Sequence, residues 1–347
     1  MGKKEKETAR KNDVTQVASF LRRHWFLCLL FLVAPLGLWF PEGGEAIRDT
    51  GWVIRFTFAL NLAVSGFMLN SGKLVRQAAN FRAIFLTLGA TYVLAPLYAY
   101  ALARLWSPAA STDDSAQRWF VESVLIMAAQ AGTLATAPTL TLLARGNREL
   151  AMVITLLSNT LTVFLTPLVL QITLGASVDF RTSEMIMRMA FMVLLPVALG
   201  QLVRAFLWRQ AQSVMPALRI IPQCIILFFL YIAFAAAAEH LGGDLFLVGR
   251  FAGACASLHV ALLFCNYTAS RLLNFSAPTR TAIIYCGSQK TLPNGIYVWE
   301  TFFASNVYGA VPLAIYHLFQ TVTDSFLAPF LEKQNARSKT SPGPTPN

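Results

Sequence analysis

The chain has 347 residues, 56% of them hydrophobic and only 13% charged, with a formal net charge of +11. Soluble domains carry about 25% charged residues, so this composition excludes an ordinary water-soluble enzyme and points to a polytopic membrane protein. The basic excess sits between apolar stretches, a pattern of membrane topology and not of nucleic-acid binding.

Residues 1–23 form a basic, polar lead without the apolar core of a cleavable signal, read as a cytoplasmic N-terminal segment. Apolar stretches follow at 25–40, 52–70, 83–106, 119–144, 150–174, 186–207, 217–238, 245–269, 280–304 and 307–331. Each approaches the roughly 17–25 residues a helix needs to cross the hydrocarbon. The expected fold is an all-α membrane protein of ten transmembrane helices, divided into five-helix sets at 24–175 and 176–332, with 333–347 a disordered cytoplasmic tail. Lys and Arg gather at the N-terminus and in alternate loops, at Lys73, Arg76 and Arg82, at Arg145 and Arg148, at Arg204, Arg209 and Arg219, and at Arg271 and Arg280. That asymmetry puts both termini in the cytoplasm of a multi-pass protein of the inner or plasma membrane. The five cysteines lie in apolar segments without metal-ligand spacing, and no nucleophile constellation or phosphate-binding loop occurs. No metal, cofactor or enzymatic activity is therefore assigned.

Span four, LIMAAQAGTLATAPTLTLLARG, and span nine, TAIIYCGSQKTLPNGIYVWETFFA, occupy the same place in the two sets. Gly132-Thr133 matches Gly287-Ser288, and Pro138 interrupts its span as Pro293 interrupts its own. An odd number of spans per set inverts the second set, so two broken helices in corresponding positions point to a midplane binding site at their crossing. Gly132, Pro138, Gly287, Pro293 and Gly295 are the expected helix breaks.

Lys290 lies about ten residues from Arg280 and from Glu300, near mid-depth and too far in for easy snorkelling. An intramembrane charge costs several kcal/mol, so it marks a site. Two readings stay open: an ammonium fixed on helix C-terminal carbonyls, or one that faces the cavity and meets an anionic solute or gives up a proton. Ser288, Gln289, Thr291 and Asn294 supply polar groups around it, and Thr133 and Thr136 do so in span four. Thr155 and Asn159 are four apart and share one face of span five. His259, His317 and Asp324 share no obvious common face and read as satisfied interior residues.

These stretches resemble the bile acid:sodium symporter superfamily, in its divergent SBF-like branch. The resemblance is sharpest at Ala282–Cys286 running to Lys290 and Gly295-Ile296, at Pro312-Leu313 with Tyr316-His317 and Gln320, at Ser65-Gly66, and at Pro196, Gly200-Gln201 and Arg204. It implies an inverted five-plus-five repeat in which a panel domain packs on a core domain and helices four and nine cross. It also implies sodium ligands, and there the chain departs. The Ser-Asn pair of helix four falls on Ala137-Pro138, the glutamate of helix nine on Tyr285, its asparagine on Lys290, and a helix-three glutamine on Thr91. Gln289 and Thr155 remain. Sodium binding at the usual sites is not expected. The expected partners are the lipid bilayer and a small organic anion, in a secondary transporter working by alternating access, with proton coupling and uncoupled carriage both left open. Two alternatives are a cation/proton exchanger and a non-transporting regulator that keeps the fold. The exchanger needs an intramembrane carboxylate near the crossing, for which Asp324 and Glu122 read as poorly placed.

Overall fold

The chain begins, in a computed structural model that describes residues 25–69, 77, 79–107, 114–175, 181–241 and 244–340, with α1 (Trp25–Trp39) and α2 (Pro41–Thr50) at 86° to each other. The N-terminal lead, Lys73, Arg76 and residues 341–347 lie outside the described residues. Pro41 has no N–H to continue the ladder, and at the first position of α2 that loss costs nothing. Next come α3 (Trp52–Met68) and α4 (Phe81–Trp106), the latter with a π turn at Ala90–Leu94. α5 (Asp114–Ala128) and α6 (Thr136–Leu143) are the halves of span four, followed by α7 (Arg148–Leu174) and α8 (Thr182–Leu207). The second half holds α9 (Ile221–Leu241), α10 (Leu245–Leu272), the two pieces α11 (Ala277–Ser288) and α12 (Leu292–Phe302), and α13 (Ala310–Thr340). Among the described residues there is no strand.

Every apolar stretch read from the sequence falls on a helix or a broken pair. Among the described residues, five helices are long and apolar enough to cross a membrane, namely α4, α7, α8, Met215–Ala238 around α9, and α10, and the bent α1–α2 pair passes the same test together. One expectation needs correction. α13 runs unbroken past residue 332 to Thr340, so the first half of the expected disordered tail is helical. Glu332 at that end pairs with Arg145 at 2.8 Å, and the buried Asn335 amide donates to the carbonyl of Ala144 at 2.7 Å. Those contacts hold the extra turns.

α3 packs along α8 with no side chain between them at two points: a Cβ on Gly66 would strike the backbone of Val197, and one on Gly200 that of Ala63. Small residues are what let helix backbones approach in a membrane. Gln201 Nε2 then reaches the carbonyl of Gly66 at 2.5 Å, and Arg204 Nη1 that of Phe67 at 2.8 Å, tying off the end of α3. The Ser65-Gly66 and Gly200–Arg204 stretches thus form one contact. A second layer, α4 to α7 with α10 to α13, encloses both broken helices. A cluster from Ala83, Ile84, Leu140, Ile154, Ile283 and Leu331 seals one side, and a larger one reaches from Phe120 through Phe251 to Trp299. Arg48 Nε bonds Glu300 Oε1 at 2.5 Å, joining α2 to α12.

Candidate functional site

The two breaks meet. The first, residues 129–135, separates α5 from α6; the second, residues 289–291, separates α11 from α12. Thr291 N–H donates to the carbonyl of Ala131 at 2.9 Å, one backbone bond joining them directly. Gly132 permits it, because a Cβ there would lie 2.9 Å from the carbonyl oxygen of Cys286. The prolines stand just downstream, Pro138 as the third residue of α6 and Pro293 at the start of α12. There they lack an N–H that no helix would have used. Gly287 and Gly295, expected as breaks, are not: both lie inside half-helices, Gly287 against the Asn266 side chain and Gly295 against Leu313. They serve close packing, which a glycine in sequence does not distinguish from chain opening.

Lys290 is 2% exposed. Its Nζ donates to the carbonyls of Thr91 at 2.8 Å and Gln130 at 3.0 Å. Both acceptors are free for a reason. Gln130 stands two residues beyond the last residue of α5, at the end where carbonyls have no intrahelical donor and the dipole is negative. In the π turn of α4, Ala95 N–H goes to Ala90, and the next donor along would be residue 96. That residue is Pro96, which has none. Proline thus strips the Thr91 carbonyl of its partner and leaves it for the ammonium. Desolvating a cation costs several kcal/mol, offset here by two charge-assisted bonds worth about 1.5–3 kcal/mol each. The Lys290 backbone is held equally well: its N–H donates to Gln320 Oε1 at 2.7 Å, and its carbonyl accepts from Gln320 Nε2 at 2.9 Å.

Gln289 faces the other way. Its Oε1 accepts from the hydroxyls of Thr133 and, at 2.8 Å, Thr136, and its Nε2 donates to Asp324 Oδ2 at 2.6 Å. Thr133 Oγ1 also accepts from Ala137 N–H at 3.1 Å, capping α6. Asp324 Oδ1 lies 3.0 Å from His259 Nε2, and both residues are fully buried. His259 Nδ1 stands 3.3 Å from the Tyr316 hydroxyl, which donates to the Ser288 carbonyl at 2.6 Å. One sequence expectation falls here and one stands. Asp324 is well placed at the meeting of the breaks, while His259 and Asp324 are satisfied interior residues, each satisfied in part by the other. A common face is a test for residues of one helix, whereas this pair joins α10 to α13. Glu122 is indeed remote, held by Asn306 Nδ2 at 2.6 Å.

The remaining expected residues divide. Asn294 Nδ2 donates to Gln130 Oε1 at 2.6 Å and Asn159 Nδ2 to the Gly132 carbonyl at 2.8 Å, so both tie helices to the first break. Tyr285 OH reaches the Asp324 carbonyl at 3.3 Å. Ser288 turns its hydroxyl back on Ile284, and Thr155 bonds Ala151 of its own helix at 2.9 Å, so neither side chain enters the site. Thr91 contributes its carbonyl, while its hydroxyl bonds Thr87. Gln130 and Ser158, whose Oγ accepts from Gly132 N–H, were not singled out from sequence. Pro96 beside Thr91 was the available signal for the freed carbonyl.

A cavity of about 20 Å³ lies where the breaks face α3 and α9, lined by Asn61, Thr133, Asn159, Thr291 and His317. Gln320 Nε2 lies 3.0 Å from His317 Nδ1 and, having only hydrogens to offer, makes that nitrogen the acceptor. The imidazole proton is thereby on Nε2, a buried donor with no partner. The cavity has room for a water and no more. A separate cleft of about 390 Å³, lined by Trp25, Thr136, Gln223, Thr321, Ser325 and Glu332, reaches Thr136 and stops there.

A family model described as the SBF-like CPA transporter family matches residues 24–333. An uncharacterized protein of Pseudomonas aeruginosa is 28% identical over 316 residues, covering 89% of this chain and 92% of its own length. The sodium/bile acid cotransporter 7-B of Xenopus laevis is 24% identical over 326 residues, 90% of this chain and 92% of its own. The sodium/bile acid cotransporter 7 of Danio rerio is 24% identical over 337 residues, 92% and 97% respectively.

Proposed function

The chain belongs to the SBF-like CPA transporter family, and on that premise we propose that it moves a small organic anion across a membrane by alternating access, without sodium at the positions used by sodium-coupled relatives. One observation carries the reading: Lys290 puts a buried ammonium where the two breaks meet, and both acceptors of its Nζ are backbone carbonyls. The charge is pinned and solvent-free, and it remains unneutralised by a carboxylate bond. Beside it, the donor on His317 Nε2 stands at a polar cavity without a partner. A fixed positive charge and an unused donor suit an anion. The same ammonium occupies the space that a sodium ion needs, so the lysine substitutes for the cation that would otherwise hold two helix ends together.

The cavity is far below the several hundred Å³ of a solute site. The described arrangement is thus a closed one, and solute entry requires α3 and α9 to part from the breaks. In this reading the ten helices form an inverted five-plus-five repeat, with α1–α3, α8 and α9 as the panel, the rest as the core, and both termini cytoplasmic. The cleft that stops at Thr136 is then the cytoplasmic approach.

A second reading, cation/proton exchange, gains from Asp324, a carboxylate at the meeting of the breaks. It requires the carboxylate to be exposed to a cation in turn, although its partner Gln289 is the residue next to the Lys290 ammonium. A thermal-shift panel on purified protein separates the two. Organic anions such as benzoate and cholate, each with sodium or with choline as counter-ion, are expected to raise the melting temperature equally in both salts and to lose the effect in Lys290→Ala. Stabilisation by sodium alone, retained in Lys290→Ala, overturns the anion reading in favour of a cation site.

A further inference from the structure

Resting on the reading of the chain as an anion carrier, we propose that Asp324 and His259 together form its proton-binding site, and that the proton travels with the anion as the coupling ion.

Hydrogen-bond direction carries the assignment. The Ser288 carbonyl can only accept, so the Tyr316 hydroxyl proton is committed to it at 2.6 Å. The Tyr316 oxygen then presents a lone pair to His259 Nδ1, and the proton of that contact belongs to the imidazole. On the other side, Gln289 Nε2 donates to Asp324 Oδ2 at 2.6 Å, which leaves Oδ1 to face His259 Nε2 at 3.0 Å. Two lone pairs do not sit at that separation in a dry interior; one proton lies between them. The pair, as imidazolium with carboxylate or as imidazole with carboxylic acid, is neutral overall and holds one exchangeable proton. Its loss breaks the Nε2–H or Oδ1–H bond and leaves a carboxylate beside a neutral imidazole with a single N–H for two contacts, so that either the Asp324 or the Tyr316 contact of His259 parts.

The ionisable groups around this pair are few. Among the described residues, the buried side chains of the Lys, Arg, Asp, Glu and His types are Lys290, His259, His317 and Asp324. Facing the pair are Cys255 one turn away on α10, Tyr285 on α11 and Tyr316 on α13, while Lys290 turns its Nζ to Thr91 and Gln130 and His317 its Nδ1 to Gln320. Among the described side chains, the carboxylates on the other packed helices are engaged elsewhere, Glu122 of α5 by Asn306 and Glu300 of α12 by Arg48, and α6 has no ionisable side chain.

Position supplies both a link to the cleft and a consequence. Thr321 and Ser325, the second immediately beside Asp324, line the cleft of about 390 Å³ together with Thr136. Thr136 donates to Gln289, and Gln289 to Asp324, a continuous chain of bonds from cleft to carboxylate. Separation of the pair pulls on Gln289, which is tied through Thr133 and Thr136 to the first break. With the proton bound, Lys290 gives the site a net charge of +1; with it gone, Asp324 brings the net charge to zero. An anion therefore binds better to the protonated form, and by linkage raises proton affinity by the same factor, about 5–150-fold for ordinary coupling.

The test is infrared difference spectroscopy of the purified full-length chain stepped between about pH 5 and 8, on wild type, Asp324→Asn and His259→Gln, with benzoate and cholate as anion probes. Asparagine keeps an acceptor for Gln289, and His259→Gln gives a second variant should the first fold poorly. Wild type is expected to show one carboxyl protonation that is absent from Asp324→Asn, displaced in pH in His259→Gln, and moved to higher pH by an anion. No carboxyl change attributable to Asp324 overturns the proton site. Anion-induced stabilisation that is equal in wild type and Asp324→Asn overturns the coupling while leaving the anion reading intact. A proton signal at Asp324 with neither probe raising the melting temperature overturns the anion reading and leaves the proton site standing.

Discussion

The two breaks do the same topological work with complementary chemistry. The first spans residues 129–135 and offers the carbonyls of Gln130 and Ala131 and, with Thr136 just beyond it, the hydroxyl of Thr133 as a donor. The second is only residues 289–291 and offers two donors, the Lys290 ammonium and the Thr291 N–H, and one acceptor, the Gln289 amide oxygen. A long break has backbone to spare; a short one has only side chains with which to reach. In a membrane interior each unpaired backbone group costs several kcal/mol, so two such breaks are tolerable chiefly against each other. Bonds running both ways, cation and N–H to carbonyls in one direction and hydroxyls to an amide oxygen in the other, and not symmetry, are what join them.

Substitutions that remove one side's contribution break this complementarity in graded steps. Lys290→Ala takes away the largest donor and orphans the carbonyls of Thr91 and Gln130, each at about 1–3 kcal/mol. We expect the steepest fall in melting temperature and loss of any anion-induced shift, read by differential scanning fluorimetry. An unchanged melting curve would mean that the breaks do not depend on the charge. Gln320→Leu comes next. It leaves the Lys290 N–H and carbonyl unpaired while sparing the ammonium, so stability should drop by about 1–3 kcal/mol with a weakened but detectable anion response.

The division between what could and could not be read beforehand follows the same physics. Lys290, the two breaks and their prolines were legible because a charge, a missing N–H and an apolar surround are local features of sequence. The extended α13 was hidden by a polar composition that ordinarily signals disorder, and its anchor, Asn335 on Ala144, is a contact across 191 residues. Asp324 was misjudged for a related reason. Its partners His259 and Gln289 come from other helices, 65 and 35 residues away, and periodicity within one helix carries no information about them. Thr155 failed in the opposite direction, having the right residue type and face but a hydroxyl satisfied by Ala151 of its own turn.

Smaller effects sharpen the contrast between supports and bystanders. Pro96→Ala restores an N–H in α4 that can reclaim the Thr91 carbonyl. We expect stability to change by no more than about 1 kcal/mol, but the anion-induced shift to shrink because Lys290 loses an acceptor. A response identical to wild type would show that the π turn is incidental. Thr155→Val should be nearly silent, within about 1 kcal/mol and with the full anion response. A large loss of binding there would return Thr155 to the site.

The central claim is that a pinned ammonium stands in for sodium. The measurement that meets it head-on is uptake of radiolabelled cholate or benzoate by proteoliposomes, driven in turn by an inward proton gradient and an inward sodium gradient. Uptake that follows the proton gradient, is indifferent to sodium, and disappears in Lys290→Ala is the predicted result. Uptake that needs sodium and survives Lys290→Ala would contradict it.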